Sequence, residues 1–347
     1  MRTAGEAGAE NLIGNSMRTN SIPAALAVVF LAAPAAANDS VAELGAGGIM
    51  LARTDDIALV REELYISADL VSVDYVFANR TDADLHTVVA FPMPDISMGF
   101  DTVPPVASPE SDNFMNFSVV HNGATITPML DQRARALGVD VTDEMRSQNV
   151  PLVPLSDAAI AGLEALPDDL AADWADRGII AVEEWDEGSG MEAHPMPRWE
   201  LSSTYWWEST FPAGREISVS HRYTPAVGAS AGVFFLNPDG SRNEVFDAYA
   251  EKYCIDKSFE RAVARKLKEG AYYTEKRIEY VLTSGGNWAN GMIGDYRLTI
   301  DKGAPGNLVS FCGSGVKKIA PTQFQMTARD FYPDKDIDVL ILERLPQ

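Results

Sequence analysis

The sequence predicts a mainly β protein: a β-sandwich with helical insertions, followed by an α+β C-terminal segment. Three observations carry this prediction. Apolar and polar residues alternate with a period of two across 70–91 and 199–223, and again in short runs between 277 and 342. Turn-forming residues separate the runs, at Asn79–Asp82, Asn122-Gly123 and Pro212–Gly214. Helical periodicity is confined to about 156–177 and 246–270.

The first 37 residues are expected to be a targeting signal. Met17-Arg18 opens a short charged region, and 22–31 (IPAALAVVFL) is apolar. Ala35-Ala36-Ala37 then supplies small residues before Asn38, which predicts a secretory signal over 1–37, a working start at Met17 and cleavage after Ala37. Ten apolar residues are too few to span a bilayer. The expected location is periplasmic or secreted. In an oxidising compartment Cys254 and Cys312, the two cysteines of the chain, are expected to form one disulfide.

In the first part, Leu70–Phe77 and Leu85–Phe91 read as a half-buried hairpin turning at Asn79–Asp82. Phe117–Val120 and Ala124–Thr127 flank His121-Asn122-Gly123, where Asn-Gly favours a tight type I′ turn. Ser156 caps a predicted helix that Pro167 interrupts, and Leu170 and Trp174 extend its apolar stripe. The acidic loop Glu183–Glu187 follows. Trp199–Phe211 and Glu216–Tyr223 read as a second strand pair.

Charge then marks a boundary. Residues 38–250 hold 11 basic and 35 acidic side chains, whereas 251–347 hold 15 and 13. Every lysine lies at or beyond Lys252. The turn signal Asn237–Gly240 sits near the break, so the expected domains are an acidic sandwich over 38–236 and an α+β segment over 237–347. In the latter, Phe246, Tyr249 and Tyr253 share one helical face. Asp256 caps a helix bearing Phe259, Val263 and Leu267, and five short strands follow.

Composition excludes some functions. The 347 residues are 46% hydrophobic and 22% charged, an ordinary globular balance. With 28 Lys+Arg against 50 Asp+Glu, the net charge of −22 repels phosphate backbones, so no nucleic-acid partner is expected. Four histidines and two cysteines offer little for soft-metal or iron–sulfur chemistry.

Val71–Pro94 is similar to the strand-turn-strand signature of the vault/inter-alpha-trypsin type β-sandwich. More of the chain resembles an exported bacterial family, domain of unknown function 4424, in Asn38–Gly48, Val71–Pro94, Phe211–Gly228 and Thr283–Gly303. That resemblance implies export and a β-rich architecture. It brings no activity, ligand or catalytic residue.

Several motifs invite chemistry. Gly228-Ala229-Ser230-Ala231-Gly232 matches the G-x-S-x-G nucleophile elbow, but no histidine follows His221, so the hydrolase order cannot be completed. His86, His121, His194 and His221 lack metal-ligand spacing and are expected to be structural. Asp239, within a run of oxygen donors, and the alternating Asp334, Asp336 and Asp338 are weak calcium candidates; no other cofactor is expected. Trp206, Trp207 and Trp288 are candidate binding aromatics. Trp206 and Trp207 are adjacent, so on a strand one faces in and the other out. The leading expectation is a non-catalytic periplasmic binding or interaction module for an envelope protein or glycan. The alternative is an envelope hydrolase acting on sugars or peptides through dispersed carboxylates.

Overall fold

A computed structural model describes residues 38–45, 48–98, 106–154, 156–186, 188 and 190–346. The expected signal segment lies outside them. Among the described residues the fold is mainly β, with strands in four sheets of eight, seven, four and two strands. None of their helices is long and apolar enough to cross a membrane.

The early strands are β1 (Ser40–Gly45), β2 (Gly48–Ala52), β3 (Ile57–Ile66), β4 (Val71–Asn79) and β5 (Leu85–Pro92). The seven-stranded sheet runs Val139–Asp140, Met129–Ala136, Glu200–Phe211, β5, β1, β2, with Ile96–Ser97 attached to Glu200–Phe211. The eight-stranded sheet runs Lys317–Lys318, Gln323–Phe331, Ile293–Asp301, β3, β4, Glu216–Tyr223, Ser118–His121, Ala124–Ile126.

These two sheets face each other, as sandwich packing requires when each has one apolar face. Phe77 of β4 meets Phe211 of the opposite sheet edge-on, with centroids 6.0 Å apart. Phe117 stacks on Tyr205 at 4.3 Å. Burying each such ring stabilises the fold by roughly 2–3 kcal/mol.

Two expected strand pairings differ from the structure. β4 and β5 do not form a hairpin: β4 pairs with β3 and Glu216–Tyr223, whereas β5 pairs with β1 and Glu200–Phe211. Likewise Glu200–Phe211 and Glu216–Tyr223 lie in opposite sheets. Asn79 explains the first crossing. Its side chain donates to the carbonyls of Ala83 and Phe211, both at 2.8 Å, tying the turn to the far sheet. Period-two patterning reports which face is buried, not which neighbour supplies the hydrogen bonds. A third difference is Glu183–Asp186, read as a loop, which belongs to strand Ile180–Asp186 paired with Met191–Pro197.

Other elements match their signals. Asn122 and Gly123 take φ of 48° and 80° between paired Ser118–His121 and Ala124–Ile126, as a type I′ turn demands. Ser156 Oγ accepts from Ala159 N–H at the head of helix Asp157–Glu164. Asp256 caps helix Lys257–Lys268 in the same way.

Strand Ile293–Asp301 pairs parallel with β3 across the centre of the eight-stranded sheet. Sequence from both sides of residue 237 therefore shares one hydrogen-bonded sheet. The four-stranded sheet (Gly228–Ser230, Tyr273–Tyr280, Ile337–Arg344, Leu308–Phe311) has two covered faces. Ile278, Tyr280, Val339 and Ile341 join the sandwich core. Tyr273, Leu340 and Leu342 pack with Phe246, Tyr253 and Val263 from helices Phe246–Lys252 and Lys257–Lys268. Cys254 and Cys312 form the expected disulfide beside this second core.

Candidate functional site

Polar side chains converge deep in the sandwich. Asn38, Asp39, Glu62 and His221 all have zero exposure. β3 supplies Glu62 through a local irregularity. Its register with β4 shifts between Leu59 and Arg61, so a bulge at Val60 reverses the in–out parity. Leu64 and Ile66 then face the core, and Glu62 faces it with them. Gly294 on the neighbouring strand permits the bulge, because a Cβ there would lie 2.6 Å from the Val60 carbonyl oxygen.

The row across the sheet is Tyr296, Glu62, Tyr75. Tyr75 Oη donates to Asn38 Oδ1 and lies 3.1 Å from Tyr280 Oη. Asn38 Nδ2 donates to Glu62 Oε2 at 3.2 Å. The backbone N–H of Asn38 donates to Ser284 Oγ at 2.9 Å, and Ser284 Oγ donates back to the Asn38 carbonyl at 3.1 Å. Gly285 leaves room for this arrangement: a Cβ there would sit 2.7 Å from Asn38 Nδ2.

Asp39 bonds His221 Nε2 through Oδ1 at 2.8 Å, and Trp288 Nε1 donates to the Asp39 carbonyl at 2.8 Å. Phe91, Phe117 and Trp207 surround the imidazole at 4.8–5.4 Å. Burial raises the pKa of Asp39, with His221 opposing the rise. Burial pushes Glu62 up to about 8, and the Asn38 hydrogen bond opposes it. Glu62 Oε1, Asp39 Oδ2 and His221 Nδ1 have no hydrogen-bond partner. A carboxylate–histidine pair of this kind can orient an imidazole for base catalysis. Here neither member has any solvent-exposed surface.

The outer face of the seven-stranded sheet holds an open set of polar groups. Asp95 and Glu200 are close enough to influence each other's ionisation, with Ser202 and Arg135 beside them. Arg135 NH1 donates to Ser202 Oγ at 3.1 Å. Burial raises both carboxyl pKa values, and the mutual repulsion adds to the rise at Glu200. On the same strand and face, Trp206 is half-buried beside Met129, its partner in register.

The candidates named from sequence scatter. Trp207 (4% exposed) and Trp288 (2%) are core residues, so of the adjacent pair Trp206 is the one facing out. Asp239 is engaged in a local turn, accepting from Ser241 N and Oγ at 2.8 and 2.6 Å. Asp336 accepts from Thr283 N–H at 3.1 Å, Asp338 pairs with Lys252 at 3.4 Å, and Asp334 is exposed. The structure does not bring these four together. Gly228–Ser230 is an edge strand, and Ser230 Oγ is bonded to the Gly232 carbonyl at 2.9 Å. His194 stacks on Trp185 at 3.7 Å. Sequence reasoning missed Asn38, Asp39, Glu62, Asp95 and Glu200. The inward Leu64 and Ile66 carried a usable signal for Glu62, since it shares their parity.

No curated protein matches the chain. A solved Legionella pneumophila structure, provisionally named a nutrient binding protein, matches with a TM-score of 0.40 at 12% identity, covering 88% of this chain and 71% of that one. A family model described as a domain of unknown function (DUF4424) matches residues 37–340, and the chain belongs to that family.

Proposed function

We propose that this protein is exported, loses residues 1–37, and works in the periplasm as a non-catalytic binding module for an envelope protein or glycan. The observation that carries this reading is the closure of the Asp39–His221–Glu62 cluster: this acid–base set is sealed in the core. The disulfide fits an oxidising compartment. Trp206, half-buried on the outer sheet face beside Met129, supplies the aromatic anchor that binding surfaces favour. The test is capture from a periplasmic extract with wild-type and Trp206→Ala baits. A defined protein or glycan retained by the first and lost by the second supports the reading. Equal capture by both removes Trp206 from it.

A second reading, an envelope hydrolase, draws on Asp95 and Glu200. Two neighbouring carboxyls with raised pKa values can share a proton and divide acid and base roles. Turnover of envelope glycans or peptides by wild type, abolished by Asp95→Asn and by Glu200→Gln, would favour it over binding alone.

A further inference from the structure

Asn38 is the residue that follows the expected cleavage point, and it lies at the centre of the buried cluster. Its amide nitrogen, side-chain amide and carbonyl are all engaged there, with Ser284, Glu62 and Tyr75. A peptide nitrogen at this position carries one hydrogen, which goes to Ser284 Oγ. Around it several buried polar atoms lack a partner: two carboxylate oxygens, and the hydroxyls of Tyr296 and Tyr223. Glu62 is fully buried and uses one oxygen on Asn38 Nδ2 while Oε1 has no partner, and Asp39 Oδ2 is also unpartnered. Among the described residues no lysine or arginine bonds Glu62: its hydrogen bond comes from Asn38, and its neighbours in register are Tyr75 and Tyr296. A buried carboxylate without a cation is costly, and natural cores seldom leave one so.

We propose that cleavage after Ala37 completes this cluster, the new α-ammonium of Asn38 forming a buried ion pair with Glu62. The inference rests on the export reading above. A signal peptidase hydrolyses the Ala37–Asn38 peptide bond with one water. Ala37 leaves as a carboxylate, and Asn38 keeps the nitrogen as an ammonium with three hydrogens in place of one. One hydrogen retains the Ser284 contact, and two become available to the unpartnered carboxylate oxygens. Maturation thereby supplies donors and a positive charge to carboxylates that lack them, and the final packing of the sandwich is coupled to removal of the leader. Gly285 fits this role, since any side chain there would collide with Asn38.

The test uses protein purified from the periplasm after expression of the full chain. Intact mass first gives the mature N-terminus; a start other than Asn38 overturns both the cleavage assignment and the ion pair. With Asn38 first, the rate of α-amine labelling by an N-terminus-selective aldehyde is compared in native and urea-unfolded protein. The expected result is native labelling slower by about 100-fold or more, as for a group that reacts only on opening. Glu62→Gln is expected to raise the native rate at least about tenfold, because the partner charge is gone. Ser284→Ala serves as the second variant if Glu62→Gln does not accumulate, and a rise of several-fold is expected. Native labelling as fast as unfolded labelling, with an Asn38 start confirmed, overturns the ion pair and leaves the export reading standing.

Discussion

Two glutamates are wholly buried among the described residues, and their surroundings differ. Glu275, on strand Tyr273–Tyr280 under the helices, is answered at both oxygens: Oε1 accepts from Phe234 N–H at 2.6 Å, and Oε2 from Tyr249 Oη at 3.1 Å. Arg277 lies 3.5 Å from Oε2 and also donates to Tyr249 Oη at 2.9 Å. Glu62, in the sandwich, holds one bond to Asn38 and leaves an oxygen bare. Burial raises both pKa values, so desolvation alone does not separate them. The count of donors does. A carboxylate with a full set of partners is a structural fastener, whereas one with an empty position is where the proposed Asn38 ammonium would act.

The largest expected effect falls on the Glu275 side. Replacing both cysteines by alanine opens a link spanning 58 residues, which in the chain-entropy model costs about 4 kcal/mol. Urea unfolding of the double variant against wild type reads it directly. Glu275→Ala comes next. It strands the Phe234 amide and leaves Arg277 without its carboxylate, for an expected loss of about 3 kcal/mol. A loss below about 1 kcal/mol would erase the contrast with Glu62.

Acidity sharpens the contrast on the other side. With a peptide bond still preceding Asn38, Glu62 keeps its proton in the folded state up to about pH 8 and loses it near pH 4.5 when unfolded. Between those values the native state binds the extra proton, so stability falls as pH rises and levels off above the window. Asp39, also raised by burial, acts in the same sense from its ordinary value upward. Denaturant titrations from pH 4 to 9 on an uncleavable, N-terminally extended chain should show this decline. Glu62→Gln should flatten most of it, and a chain starting at Asn38 should show less of it. The smallest effect is expected at Trp206. Trp206→Ala should cost about 1 kcal/mol, as a half-buried ring on the outer face, and should alter capture as well.

Much of the fold was legible in the sequence because its signals are local. Alternation in 71–77 and 216–223, the Asn-Gly turn and the Ser156 and Asp256 caps each depend on a few neighbouring residues. Partner choice is not local. β4 and β5 sit five residues apart in sequence yet join opposite sheets, because Asn79 bonds across the sandwich to Phe211. The buried cluster was harder to read still. Asn38 and Asp39 adjoin a predicted leader and carry no apolar pattern, and Glu62 is turned inward by a bulge that no single residue announces. The outer pair Asp95 and Glu200 are 105 positions apart and meet only because Ile96–Ser97 pairs with Glu200-Leu201.

Closure of the Asp39–His221 cluster is the point on which the binding reading turns. Diethyl pyrocarbonate labelling with site-resolved mass spectrometry measures it in native protein, with each histidine reporting its own access. His86, exposed on β5, should label readily, and His221 should stay unlabelled until the protein unfolds. Labelling of His221 at a rate close to that of His86 would mean the cluster opens to solvent, and the acid–base pair would return as a candidate catalytic centre.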